Sequence, residues 1–402
     1  MSPCPADGTA HRTVVTDTIA LYHTVLNDLE TLELAQRLVR IDSVNPSLVS
    51  GAAGEAALAH FVAGVLENRG VDVELRDALP GRPNVIGRIP GTGGGPSLLL
   101  CCHLDTVSVE GMEAPFSGEI DEEGRLYGRG AQDVKGGMAA MLAAAVTLAK
   151  APPKGDVIVA CVADEEAYSA GTEALLKWGL RADMAIVFEP TELDVVVAHK
   201  GFAWAHITTR GVAAHGSRPR EGVDAIAHMG RVLATIEAYG VQLSRRTPHA
   251  LLGEASVHAS LIRGGRELSS YPDSCELDIE RRTLPGESRH SVRRELEPIM
   301  EALARDPQFQ AEMEMRFFRP AFEIPETETL PQKLKAATER VRGSCSFVGM
   351  TSWTDSALLA EAGIPAVVFG PGGAGLHGLE EYGDTRQICA CRDALIDFAR
   401  NW

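Results

Sequence analysis

Several absences narrow this chain before any motif is considered. Positive charge is scarce: 38 Lys and Arg stand against 55 Asp and Glu over 402 residues, a formal net charge of −17. Such a balance offers no basic footprint for a phosphate backbone or an anionic bilayer, so neither nucleic acid nor membrane is expected as a partner. An anionic substrate stays open, because a metal cation can dominate its own cleft. Long apolar runs are also lacking. The longest, MAAMLAAAVTLA at 138–149, is too short to span a bilayer and reads as a buried, Ala-rich helix. The opening MSPCPADGTAHRTVVTDTIALYH has no basic region followed by an apolar stretch, and so does not read as a secretory signal. The eight cysteines form no CxxC pair. Cys101 and Cys102 in SLLLCC, and Cys161 in VIVACVA, read as buried thiols inside strands, which points to a reducing compartment, the cytoplasm. No internal repeat or low-complexity segment is found.

What is present has an ordinary globular composition, 45% hydrophobic and 23% charged. A length of 402 residues exceeds one core and suggests two domains. Residues 1–20 carry little pattern and read as a tail. Apolar spacing predicts helices over 29–41 and 54–69, the second stopping at Gly70. Continuous apolar runs at 97–102, 157–163 and 184–188, with the 138–149 helix between the first two, predict crossover units. Their lack of alternation fits a mainly parallel sheet buried on both faces.

Beyond residue 200 the pattern changes. Segments 203–210, 255–262 and 274–282 read as half-exposed strands, and 222–239 and 288–305 as amphipathic helices, the first ending at Gly240 and the second capped by Ser288. Two helices on one side of a four-stranded antiparallel sheet satisfy this order. A helix over 330–342, a strand at 365–369 and a closing helix over 385–400 then resume the first domain. The expected architecture is an α/β catalytic domain over 21–200 and 321–402, with an α+β domain inserted over 201–320.

Chemistry-bearing residues collect where apolar strands end. In LLCCHLDTV, His103 and Asp105 stand two apart and share a face, so the carboxylate can orient a metal-binding imidazole. In LYGRGAQDVKGG, a Gly-rich turn delivers Asp133, whose two oxygens can bridge two cations; a first-turn helix acid is the plain alternative. VIVACVADEE ends in Glu165 and Glu166, which repel unless a cation offsets them or unless they are surface acids. AIVFEPTE places Glu189 before a proline, and PAVVFGPGGAGLHG places His377 in a glycine-rich loop. Ligands of open α/β sheets gather at the carboxyl ends of strands. Two histidines and three carboxylates gathered there would satisfy two cations and leave positions for water.

These segments together resemble a metallopeptidase family, that of acetylornithine deacetylase, succinyl-diaminopimelate desuccinylase, aminoacylase and the folate-cleaving glutamate carboxypeptidase. The resemblance runs from SVNP at 43–46 to LHGLEEYG at 376–383 and is carried by HLDTV, YGRGAQDVKGG, DEEAYSAGT, EPTE and LHGLEEYG. It implies an α/β zinc-hydrolase domain with an inserted ferredoxin-like lid and dimerisation domain. It implies two zinc ions, with cobalt or manganese as substitutes: one held by His103, Glu189 and Asp133, the other by Glu166, His377 and the same Asp133. Glu165 matches the family's acid/base, and Asp105 matches the acid orienting His103. A cis peptide is implied between Asp133 and Val134. The stretch GVAAHGSRPREGVDAI resembles a segment whose histidine reaches the partner subunit's site, so His215 would stabilise the oxyanion across a homodimer; a surface-loop histidine is the alternative. Arg282 matches a substrate-contacting arginine, and Thr354 and Asp355 fall in a stretch that lines the pocket.

Three positions depart from the family's pattern. Cys102 stands where glycine is usual, Val134 where methionine is common, and Ser269 at a substrate contact commonly filled by asparagine. The expected activity is hydrolysis of the amide of a small N-acyl amino acid. A dipeptidase or carboxypeptidase on the same centre is the near alternative, and a non-catalytic binding protein that kept the fold the remote one.

Overall fold

A computed structural model describes residues 26–402; the expected tail at 1–20 lies outside them. The principal sheet has nine strands. They are β1 (Asp72–Leu79), β2 (Arg82–Ile89), β3 (Leu98–His103), β5 (Val157–Val162), β6 (Met184–Val187), β7 (Val195–His199), β12 (Phe322–Glu323), β13 (Phe347–Met350) and β14 (Ala366–Val368). Their order is β1-β2-β5-β3-β6-β14-β7-β12, with β13 beside β7. The four central strands β5, β3, β6 and β14 run parallel, while the β1–β2 and β7–β12 flanks pair antiparallel. The sheet is therefore mixed, with a parallel heart.

That heart is built from LLLCCH, VIVACV and MAIV, buried at every position. The Ala-rich helix Gly136–Lys150 is buried throughout its first thirteen residues and packs between helices Asp28–Val39 and Thr385–Arg400. Small side chains suit this place, because helix and sheet approach closely and no face meets water. Because the central strands run parallel, their carboxyl ends share one rim, and His103, Glu165, Glu166 and Glu189 all stand on it or just past it.

A second sheet contains β8 (Gly201–Arg210), β9 (Ser256–Gly264), β10 (Ser274–Thr283) and β11 (Gln310–Arg319), ordered β11-β8-β10-β9 and antiparallel throughout. Helices Ala225–Ser244 and Arg289–Leu303 cover it, closing a separate core around Ile207, Val232, Leu277 and Leu296. Ser288 caps the second helix through Ser291. A small third sheet joins β4 (Arg125–Tyr127), β15 (Gly373–Ala374) and β16 (Tyr382–Asp384) beside the rim. Among the described residues no helix is long and apolar enough to cross a membrane.

The chain crosses between the two large sheets twice, at His199–Gly201 and at Arg319–Phe322. The crossings touch backbone to backbone: a Cβ on Gly201 would lie 2.4 Å from Ala321 N. One expected boundary changes, and one element had not been expected. Gly240 does not end its helix, which continues to Ser244. The β1–β2 hairpin carries no sequence signal, because polar residues and Pro83 interrupt any apolar period.

Candidate metal centre

Two donor sets meet at the rim. His103, Asp133 and Glu189 form one, Asp133, Glu166 and His377 the other, and within each set the ligand atoms lie within 4.8 Å of one another. Asp133 belongs to both: its Oδ1 is 3.0 Å from His103 Nε2 and its Oδ2 is 3.2 Å from His377 Nε2. His377 Nε2 is also 3.4 Å from Glu166 Oε2. The two carboxylate oxygens of Asp133 thus face two imidazoles on opposite sides.

The side chains alone are electrostatically frustrated. Burial pushes the Glu189 carboxyl well above the ordinary range, and the charge of Asp133 adds to it. Glu165 is raised likewise, by burial and then by Glu189; Glu166 by burial and then by Asp133. Burial lowers the His103 pKa, but the hydrogen bond and charge of Asp133 outweigh it, and the net shift is well upward. The His377 pKa is raised to about 10, chiefly by its hydrogen bonds to Asp133 and Glu166. Glu166 Oε1 is buried without a hydrogen-bond partner. Four clustered carboxylates, an orphaned oxygen and two imidazoles that can serve neutral are the donor chemistry that divalent cations fit.

Backbone devices hold the ligands. Asp133 lies in a tight turn over Ala131–Lys135, outside helical backbone angles at φ −117°, ψ 90°, and its peptide to Val134 is cis. His377 adopts the left-handed region at φ +56°, where a side chain other than glycine is uncommon. Its loop closes only because Gly375 carries no Cβ, which would sit 1.7 Å from the Glu380 carbonyl oxygen.

A residue that the sequence did not single out joins these two loops. The buried Glu381 carboxylate accepts backbone N–H groups of Gln132 and Asp133 on Oε1, at 3.0 and 3.1 Å, and that of Gly130 on Oε2 at 3.1 Å. Arg129 Nη1 donates to Oε2 at 2.6 Å, and Arg129 Nη2 donates to the Gly378 carbonyl at 3.0 Å. Glu381 was legible only as part of LHGLEEYG; its partners are some 250 residues earlier.

The geometry places Asp105 differently from the expectation that its carboxylate meets His103. His103 Nδ1–H donates to the Asp105 backbone carbonyl at 2.9 Å, while the nearer carboxylate oxygen stands 3.8 Å away. The carboxylate instead accepts the backbone N–H groups of Glu165 at 3.1 Å and Glu166 at 3.0 Å. Asn45 Nδ2 donates to it at 2.7 Å. Asn45 in turn is held by Arg82, whose buried guanidinium also binds Glu55 and Asp164. So Asp105 fixes the backbone of the Glu165–Glu166 pair, anchored through the SVNP turn.

The remaining expected residues fall in three places. Arg282 lines a cleft of about 710 Å³ that Glu165, Glu166 and His377 also line. Thr354 and Asp355 do not line it. Both are 1% exposed, Thr354 bonded to Ser356 Oγ at 2.9 Å and Asp355 to Thr172 Oγ1 at 2.6 Å, and Trp353 takes the cleft surface in their stead. His215 and Ser269 stand together on exposed loops beyond the far end of β8, with Gly216 N donating to the Ser269 carbonyl at 2.7 Å. Neither lines the cleft of its own chain.

Comparison with known proteins agrees with this geometry. A profile of Peptidase family M20/M25/M40 matches residues 99–401. The chain is 28% identical over 412 aligned residues to an N-formyl-4-amino-5-aminomethyl-2-methylpyrimidine deformylase of Bacillus subtilis (strain 168), covering 93% of this chain and 94% of that protein. It is 32% identical over 332 residues to an acetylornithine deacetylase of Myxococcus xanthus, covering 80% and 84%. Its fold matches an M20 family metallo-carboxypeptidase from Sulfolobus solfataricus with a TM-score of 0.76 at 18% identity, over 92% of this chain and 98% of that one. Fold and site define a metal-dependent amidohydrolase of mixed α/β architecture. The chain belongs to Peptidase family M20/M25/M40.

Proposed function

We propose that this protein is a two-zinc deacylase that hydrolyses the amide bond of a small N-acyl amino acid, with cobalt or manganese able to replace zinc. The observation that carries the reading is the pair of donor sets sharing Asp133, with Glu165 beside them on the wall of one cleft. The deformylase and deacetylase relatives, both named for removing a small acyl group, support it.

His103, Asp133 and Glu189 would hold one ion, and Asp133, Glu166 and His377 the other. Bound there, the ions would offset the carboxylate charge and supply Lewis acidity that brings the pKa of water to about 7. Glu165 takes the proton of the attacking water. A C–O bond forms at the amide carbonyl, the C–N bond breaks, and Glu165 returns the proton to the departing nitrogen. The burial of Glu165 disfavours its charged form and so favours proton uptake, which suits a base that must also act as an acid. Arg282 receives the substrate carboxylate.

Oxyanion stabilisation falls to His215 of a second copy. Ser217 N–H points at His215 Nδ1 at 3.2 Å and Ser217 Oγ lies 2.8 Å from it, which makes Nδ1 the acceptor and leaves the proton on exposed Nε2. Strand β9 supports a homodimer: it is an edge of the second sheet and exposes Leu261 and Ile262 by 56% and 53%.

The test is metal analysis of the purified protein together with turnover of N-formyl, N-acetyl, N-succinyl and N-carbamoyl amino acids against dipeptides. Two zinc equivalents and cleavage of N-acyl amino acids are expected. Cleavage of dipeptides alone would move the protein to the peptidase reading.

A further inference from the structure

Only 5% of the chain is aromatic. Yet five rings, those of Tyr168, Phe202, Trp204, Phe317 and Trp353, line the cleft that Glu165 and His377 also line. They form one continuous surface. The Phe202 and Phe317 rings each lie 5.2 Å from Trp204, Phe202 lies 6.1 Å from Trp353, and Tyr168 meets Phe317 edge-on at 5.8 Å. The sequence pattern does not account for them as core: Phe202, Trp204 and Phe317 stand on the face of the second sheet away from its helices, only partly buried.

Cations are set among these rings. Glu280 accepts the Trp204 indole N–H on Oε2 at 2.9 Å and Arg282 Nε–H on Oε1 at 2.7 Å, locking ring and guanidinium together. The Arg282 guanidinium stacks over Phe202 at 5.4 Å, and that of Arg319 over Phe317 at 4.6 Å. Arg282 lines the cleft and meets Glu280 through Nε, so its terminal nitrogens can serve as a fork for a carboxylate. Such a wall presents flat π faces beside a fixed anion receptor, and stacking on it needs a flat partner.

We infer that the cleft selects amides whose amino-acid part carries an aromatic side chain beside its carboxylate, namely N-acylated phenylalanine, tyrosine or tryptophan. This rests on the amidohydrolase reading above. Arg282 takes the α-carboxylate, the Trp204–Phe317 surface stacks the side-chain ring, and the scissile amide reaches Glu165. Hydrolysis consumes one water, forming the acyl carboxylate and freeing the aromatic amino acid. Trp204 and Phe317 act as specificity-determining residues.

Two measurements test this. In the first, kcat/KM is compared for N-acetyl-L-tryptophan, N-acetyl-L-phenylalanine, N-acetyl-L-alanine and N-acetyl-L-ornithine. At least a tenfold preference for the aromatic pair is expected. In Trp204→Leu and, on a different strand, Phe317→Leu, that preference should shrink severalfold through KM, with melting temperatures checked for both variants. In the second, calorimetry follows binding of N-acetyl-L-tryptophan and N-acetyl-L-alanine to metal-loaded Glu165→Gln protein, where the tryptophan compound should bind at least tenfold tighter. Equal kcat/KM for alanine and aromatic substrates, or a preference untouched in both variants, overturns the inference while the hydrolase reading stands. Selective aromatic binding without turnover of any amide by the native enzyme overturns the hydrolase reading and leaves the selectivity. Equal binding of the two compounds overturns the selectivity itself.

Discussion

Glu381 holds Asp133 by its backbone, accepting the Asp133 N–H at 3.1 Å with the same carboxylate that pairs with buried Arg129. Since Arg129 also grips the loop of His377, one ion pair aligns ligands from both donor sets. Glu381→Gln leaves the guanidinium buried beside a neutral amide. The variant should lose about 3–5 kcal/mol of stability, the usual result of breaking a buried pair. Metal affinity should fall about 10–100-fold, as when other supports of a metal site are lost. Metal titration and thermal denaturation check both, and unchanged affinity would remove Glu381 from the site.

Glu165→Gln keeps the shape of the base and removes its proton chemistry. Turnover should fall about 10²–10⁴-fold with metal content unchanged. Single-turnover assays beside elemental analysis decide it; near-native turnover in the loaded variant would end the assignment.

Asn45→Ala removes the amide that fixes Asp105, and Asp105 in turn positions the N–H groups of Glu165 and Glu166. A kcat loss of about 10–100-fold is expected, with KM little changed, because the substrate itself touches none of these groups. Asn45→Asp, which puts a carboxylate against the carboxylates of Asp105 and Asp164, should do worse than alanine. If alanine costs nothing, the network serves only folding.

Chelation should abolish activity, and zinc should restore it. It should also lower the melting temperature, because Asp133, Glu166 and Glu189, if they are the ligands, would lose the cations that offset their repulsion. Linkage sets the scale at about 4 kcal/mol for metal present at a thousand times its Kd. Scanning calorimetry with and without chelator measures this. An unchanged transition would mean that the carboxylates are not metal ligands.

Ile262→Asp places a charge on the β9 edge and should yield a monomer by light scattering. Turnover should fall with it, and His215→Ala in the native assembly should cost about 10²–10³-fold, the scale of a lost oxyanion donor. A fully active monomer would refute catalysis by His215 across subunits.

The candidate ligand positions were legible because each ends an uninterrupted apolar strand or sits in a glycine-rich turn, and both signals are local. LLLCC into His103 and VIVACV into Asp164–Glu166 name their own geometry. The supports were not legible, since they depend on pairings far apart in sequence. Arg82 sits in a hairpin with no apolar period and meets Asp164 across 82 residues; Arg129 meets Glu381 across 252. The role of Asp105 turned on which of its oxygens faces His103, a matter of ångströms that no spacing rule resolves. Trp353 reaches the cleft, with its Nε1 donating to Pro320 O at the crossing. Thr354 and Asp355 beside it are buried under side-chain hydrogen bonds, that of Asp355 to Thr172 far along the chain and that of Thr354 to Ser356 within one turn.

The paired crossings at Gly201 and Ala321 give the second sheet a short arm and a long one. Phe202, Trp204, Phe317 and Arg319 all lie within a few residues of that line, whereas His215 lies past the far end of β8, about 30 Å away at strand rise. A swing about the crossings would therefore move the aromatic wall least and His215 most. Such a swing would leave the gripping surface nearly stationary and give the His215 loop the longest travel.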